Sequence, residues 1–386
     1  MKRISSTILA VLIGILLLAL PALSADKGVF SENPVTNDGK KWRIGYYEGG
    51  EYIDYQKIFT ETMRGLMKLG WIEYAEIPEQ TGEQTRALWE WMSDNLKSDY
   101  LVFVRDAHYT AGWDDEARKQ TRAAILDRLR QKHDIDLLIA MGTWAGKDMA
   151  SGDHSTSTMV LSTSDPIAAG IIKSIEDSGY PHVHAQVDPF RYERQVRVFH
   201  EIVGFKKLGI AYEDSTDGRT YAAIDVVEKV AAERGFEVVR CHTKSDISDA
   251  SEAELSVINC FSQLSEKADA IYVTVQGGVN GRSIPKLVQI ANGKKIPTFS
   301  QSGSEEVKEG FFVSLSQAGF KYVGEFHAST FAKVFNGARP NELDQMFQEP
   351  AKIAINLKTS EIIGFDPPVV LLGAADEIYR DIMPPK

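Results

Sequence analysis

Polar, aromatic and small residues suited to holding a solute recur where apolar runs give way to turns. Tyr47, Glu48 and Gly49 close the run 42–47; Thr143 and Trp144 follow 136–141; Ser164 and Asp165 follow 159–161. Farther along, Glu213 follows 208–212, Gln276 and Gly277 follow 270–275, and Ser302 follows 296–299. If the runs are parallel strands, these residues sit at the carboxyl ends, where open α/β sheets bind ligands. Gly, Ser and Thr there let backbone N–H groups at helix starts face an anion, and a carboxylate is the simplest one. Glu48 or Glu213 suits an ammonium, and Trp144 offers either a stacking wall or a packed plug. Each has a structural role open to it too: glycines make turns, Asp165 caps its own turn, and loop acids are solvated.

Covalent chemistry has no comparable support. The chain has no G-x-S-x-G elbow, phosphate-binding G-x-x-x-x-G-K-(S/T), H-E-x-x-H or C-x-x-C. No enzyme and no cofactor are expected. His182-Val183-His184 puts two imidazoles on one strand face, with His154 or Asp188 as possible third ligands. Histidines in such a strand usually make hydrogen bonds, so no metal is expected.

The elements that position these residues alternate in type. Strands are expected at 42–47, 74–77, 100–104, 136–141 and 159–161, with helices over 55–69, 81–96 and 115–132. A second run starts with Asp188 as N-cap and Pro189 at the first helical position, opening a helix to Val203. Strands follow at 208–212, 236–240, 270–275, 296–299 and 311–315, with helices over 221–234, 250–265 and 284–291. Helix 321–337, strand 353–356 and a helix from Thr359 to Gly364 complete the pattern. Such alternation implies parallel sheets covered on both faces. The fold class is α/β, with two doubly wound parallel-sheet lobes.

Lys2 and Arg3, the apolar stretch 8–20 and the small residues 21–25 have the layout of a secretory signal peptide. The apolar stretch is shorter than the roughly 20 residues a bilayer requires, and no cysteine follows it for lipid attachment. Cleavage after it removes two cations and takes the formal charge from −11 to −13. An acidic surface of that size excludes nucleic acid and anionic lipid as natural partners. About 360 residues then remain, more than one core usually organises. Cys241 and Cys260 can pair in an exported protein or lie buried as thiols; the sequence leaves both open.

Two longer blocks add a resemblance. Residues 159–176 read MVLSTSDPIAAGIIKSIE, and residues 351–379 read AKIAINLKTSEIIGFDPPVVLLGAADEIY. Together they resemble the substrate-binding proteins of ABC transporters of the tryptophan/tyrosine type, within the type I periplasmic binding protein superfamily. The resemblance implies a multi-strand hinge with three crossings. Residues 26–186 would form lobe one, completed by about 318–345; residues 187–317 would form lobe two, completed by about 346–386. It also implies a monomeric periplasmic receptor of an ABC uptake system. Its partners would be a small-molecule ligand, carboxylate-bearing and possibly an aromatic or hydrophobic amino acid, and the membrane permease subunits. The same architecture serves periplasmic sensors that feed a membrane kinase or chemoreceptor, which is the alternative. Gly142-Thr143 matches a family segment, whereas Trp144 stands where relatives carry a small residue or proline. Gln276 stands where many relatives carry an aspartate for the ligand's amino group. That departure predicts either a ligand without an ammonium or an ammonium held by Glu48, Glu213 or Asp165. Helix 81–96 has no counterpart in most relatives.

Overall fold

The structure, a computed structural model, describes residues 30–316, 318–348 and 352–385. The leader segment expected at 1–25 lies outside them. Alternating burial builds the first sheet. In β1 (Trp42–Glu48) Tyr46 faces one core and Tyr47 the other, the period of two that a strand covered on both faces requires. Around it lie β2 (Leu101–Thr110), β3 (Leu137–Met141), β4 (Ser157–Leu161) and β5 (Val183–Ala185), all parallel, in the order β2-β1-β3-β4-β5. Helices α1 (Ile53–Lys68) and α2 (Arg86–Asn95) cover the Tyr46 face, and α3 (Asp115–Gln131) and α4 (Gly142–Met149) the other.

The second sheet has the order β12-β11-β10-β9-β8-β6-β7, and only the β10–β11 pair is antiparallel. Its strands are β6 (Lys207–Tyr212), β7 (Glu237–His242), β8 (Ala270–Val273), β9 (Thr298–Ser300), β10 (Val313–Ser316), β11 (Lys352–Asn356) and β12 (Ala375–Tyr379). One core carries α5 (Arg191–Val203), α7 (Ile224–Arg234), α12 (Leu357–Ile363) and α13 (Val369–Ala374). The other carries α8 (Ala250–Leu264) and α9 (Ile284–Gly293). The short helices α6 (Thr216–Tyr221) and α10 (Ser304–Lys308) lie at the carboxyl ends of β6 and β9. Cys241 of β7 and Cys260 of α8 form a disulfide that ties strand to covering helix.

The chain leaves the first sheet after β5, returns after β10 to lay α11 (Lys321–Phe335) against α1, and leaves again before β11. Two of these passages pair. The Val187 N–H donates to the Gln345 carbonyl at 2.8 Å, and the Phe347 N–H donates to the Val187 carbonyl at 3.0 Å. Gln345 is fully buried and donates to the Ser174 and Ile175 carbonyls, which fixes the passage to the first lobe.

Several sequence expectations are corrected here. Residues 74–77 form no strand: Tyr74 is exposed, Pro78 follows, and no ladder partner is present. The second strand position belongs to β2, after α2, with a bulge that pairs Ile44 with Phe103 but Tyr46 with His108. The helix after Asp188 begins only at Arg191, because Asp188 accepts from the Phe190 N–H and grips Arg194 two residues ahead of the first turn. The helix expected over 221–234 breaks at Ala223, whose φ of +51° lies in the left-handed region.

Candidate functional site

The carboxyl ends of both sheets face one another, and their rims touch. The Lys147 ammonium of α4 meets the Asp217 carboxylate of α6 at 2.7 Å across the gap. Tyr192 of α5 lies close enough to Ser164, and Tyr52 close enough to Ser302, for each lobe's hydroxyl to act on the other's tyrosine. Arg191 of α5 acts on Asp54 at the start of α1. This is a closed arrangement.

From the first lobe, Gly49-Gly50 ends β1 and lets the chain turn into α1, so Asp54 and Tyr55 come to the rim on its first turn. Gly142, at φ +83°, starts α4, and a Cβ there would fall 1.9 Å from the Tyr55 hydroxyl oxygen. Tyr55 therefore lies directly over the start of α4, beside Thr143. From the second lobe, the loop after β7 supplies Asp246, which accepts from the Tyr221 hydroxyl at 2.8 Å and from the Ser245 hydroxyl at 3.0 Å. Tyr55 is in electrostatic reach of Glu48, Asp54, Asp246 and Tyr221. The rims thus oppose two tyrosines and a group of carboxylates.

Electrostatics follow from that enclosure. Burial pushes the Glu48 carboxyl up to about 7, opposed by hydrogen bonds that Thr85 and Tyr46 donate at 2.7 and 2.8 Å. Burial also lifts Asp246 to about 6 and Glu306 to about 8, and raises Asp54 against the pull of Lys57 and Arg191. Asp54, Asp246 and Glu306 are each half-buried.

The residues singled out from sequence divide sharply. Thr143, Ser164 and Ser302 follow strands at the facing rims, whereas Glu48 is buried and held in its own lobe by the Tyr46 and Thr85 hydroxyls. Tyr47 turns into the core, its hydroxyl donating to Asp148 at 2.7 Å. Gly49 lies under Trp113 and Trp144, where a Cβ would come within 2.9 Å of either indole side chain. Trp144 is a packed plug, edge-on to Trp113 at 5.4 Å, with the Arg118 guanidinium 4.5 Å from its ring. Asp165 caps its own turn, accepting from the Ile167 and Ala168 N–H groups. Glu213 accepts from the Ser245 and Asp246 N–H groups and so holds the loop that presents Asp246. Gln276 turns inward: it accepts from Thr243 at 2.6 Å and donates to the Ala211 carbonyl and Thr274, each at 2.9 Å. Its donors and acceptor are spent inside the lobe, which removes the premise of a ligand choice made at Gln276. Gly277 serves close approach, since a Cβ there would fall 2.7 Å from the Ser245 carbonyl.

Asp54, Tyr55, Asp246, Lys147 and Asp217 were not singled out from sequence. Asp246 had a signal, because it lies just past the end of β7, where the strand-end rule applies equally. Among the described residues, no group of three His, Cys, Asp or Glu is arranged to hold a metal ion. A groove of about 410 Å³ lined by Phe205, Lys206, Asp269 and Pro297 opens at the amino ends of the second sheet's strands, away from the rims. The strand-end rule places ligand chemistry at the other end.

Two doubly wound lobes, a paired hinge and a closed interlobe space define a type I periplasmic-binding-protein-like solute receptor. The family model for ABC transporter substrate binding proteins matches residues 108–378, and the chain belongs to that family. A curated relative, the tyrosine-binding protein of Clostridioides difficile strain R20291, is 22% identical over 305 residues, 78% of this chain and 76% of the relative. A Streptococcus pneumonia ABC domain crystallised with L-Trp is 18% identical and superposes at a TM-score of 0.64 over 87% of this chain and 99% of that one. The ligand-free, open structure of a Clostridium difficile substrate binding protein with adhesive properties is 19% identical. It superposes at 0.56 over 88% of this chain and 100% of the other. Membership in this family makes the protein a binding protein and not an enzyme.

Proposed function

We propose that the protein is a periplasmic receptor of an ABC uptake system that closes around an aromatic amino acid and presents the closed form to membrane permease subunits. The opposition of Tyr55 and Tyr221 with Asp246 between the rims carries this reading. Two tyrosines on opposite walls suit a flat apolar side chain. Asp246, with Glu48 and Asp54 in reach, suits the ammonium, and the start of α4 at Gly142-Thr143 suits the carboxylate. An ammonium brought against these acids restores their ionised forms, so binding would release protons. The tyrosine-binding relative and the L-Trp complex support the ligand class, and the layout of residues 1–25 supports export. A bound ligand adds contacts that only the closed form offers to those of the interlobe ion pair, and so shifts the population toward closure.

Titration calorimetry with L-tyrosine, L-tryptophan and their deamino carboxylates tests the reading. The amino acids should bind more tightly, and Asp246→Asn should weaken them by about 1–3 kcal/mol, the range for a charged hydrogen bond, while sparing the deamino compounds. Absence of binding by every compound overturns the ligand class. An equal effect of Asp246→Asn on both kinds overturns the assignment of the ammonium.

A further inference from the structure

The first sheet brings two histidines together at its amino end, away from the interlobe space. His154 lies between α4 and β4, and His182 immediately precedes β5. The parallel β4–β5 pairing, Thr158 opposite Val183, carries them side by side. Their ring centroids are 4.6 Å apart at an interplanar angle of 69°. Both side chains are 9% exposed.

Their hydrogen bonds fix where the protons are. His154 Nε2 lies 2.9 Å from the Met149 carbonyl, which only accepts, so Nε2 carries the proton and Nδ1 presents a lone pair. The Ser151 backbone lies beside the His182 ring and favours a proton on it, and His182 Nε2 is buried without a partner. His154 Nδ1 and His182 Nε2 are both buried and have no protein partner. Two lone pairs repel and cannot satisfy each other, so the pair calls for an electron acceptor between them. A ring whose other N–H is held by a backbone carbonyl is how proteins orient metal-binding imidazoles. Two imidazoles sharing one ion at about 2.0–2.1 Å bring their centroids to roughly 4.5–6 Å apart, which includes the observed spacing. The charged neighbours are Asp153, paired with Arg122 at 2.6 Å, and Arg130.

We infer that His154 Nδ1 and His182 Nε2 form a two-histidine site for a late first-row divalent cation such as Zn²⁺ or Cu²⁺, with water completing the coordination. Such an ion pins the α4–β4 connection to the segment that enters β5, and β5 runs directly to the hinge passage at Val187. With two protein ligands the site is of modest affinity, and Cu²⁺ binds more tightly than Zn²⁺.

The test uses untagged protein, since a polyhistidine tag would bind both metals. Calorimetric titration with Zn²⁺ and with Cu²⁺ at neutral pH should show one saturable equivalent per chain. His154→Gln keeps a donor for the Met149 carbonyl, and His182→Asn keeps one for Ser151, while each removes the lone pair. Either change should weaken binding by about tenfold or more. Paramagnetic resonance of the wild-type Cu²⁺ complex should show two equatorial nitrogens, a result that does not depend on either variant folding. No saturable equivalent at millimolar metal would mean that a bridging water satisfies both nitrogens, and would overturn the site. Binding unchanged in both variants, or a copper spectrum without nitrogen ligands, would place the metal on the acidic surface and overturn it equally.

Discussion

Replacing Glu48 by glutamine tests the electrostatics of the closed rims. Glu48 is 1% exposed and burial raises its carboxyl from an ordinary 4.5 to about 7. For an acid raised on folding, the native state holds the proton more tightly than the unfolded chain. Its contribution to stability is full below about pH 4.5 and is lost as pH rises through about 7. At 1.36 kcal/mol per unit, that loss is about 3 kcal/mol. Glutamine keeps an acceptor for the Tyr46 and Thr85 hydroxyls and never ionises. The other raised acids, Asp246 and Glu306 among them, are common to both proteins, so the difference between variant and wild type isolates position 48. Urea unfolding at pH 4.5, 6 and 8 should show Glu48→Gln gaining about 3 kcal/mol on the wild type across that interval. A difference that stays constant with pH would mean that Glu48 is hydrated in solution, and the reasoning from burial would fail.

Three further outcomes follow from contacts already described. Lys147→Met removes the partly buried interlobe ion pair, worth roughly 1 kcal/mol; ligand affinity should fall several-fold, and an unchanged affinity would show that the pair does not hold the closed form. Replacing both Cys241 and Cys260 by serine opens a loop closed across a separation of 19 residues. Chain entropy puts that at about 3 kcal/mol, visible as a lower denaturation midpoint, and an unchanged midpoint would refute it. Gln276→Asp removes one of two side-chain donors to the Ala211 carbonyl, the Thr274 hydroxyl being the other, and buries a charge, so it should destabilise by about 3 kcal/mol or more without discriminating amino acids from deamino acids; a selectivity change at unaltered stability would restore Gln276 to the ligand site.

The architecture was legible where periodicity and punctuation agree. Strands β3 and β4 are short apolar runs ended by Gly142 and by the Ser/Thr turn before Asp165, and they lie where the sequence placed them. Residues 74–77 carry strand-like residue types but are followed by Pro78 and have no ladder partner. Only the first half of β2 was legible, as 100–104: its second half, Arg-Asp-Ala-His-Tyr-Thr, is polar because the strand lies at the sheet edge and carries a bulge. The break at Ala223 has no local signal, since alanine is the best helix former; packing of Ala222 and Ile224 into the second core outweighs the cost of one left-handed residue.

Strand ends located the rim but not the direction in which each side chain turns. A polar residue just past a strand meets unsatisfied backbone groups in its own lobe before it meets a solute. Glu213 is taken by two N–H groups of the β7 loop, Asp165 by two of its own turn, and Gln276 by a carbonyl of β6. What faces across the gap is the next layer out. Asp246 is presented by the loop that Glu213 holds, and Asp54 and Tyr55 by the helix that Gly49-Gly50 releases. In this fold a strand-end acid and the residue it positions divide the work. The acid fixes the loop by bonding its backbone, and the loop carries a second acid, with tyrosine and serine hydroxyls as its partners, to the facing rim.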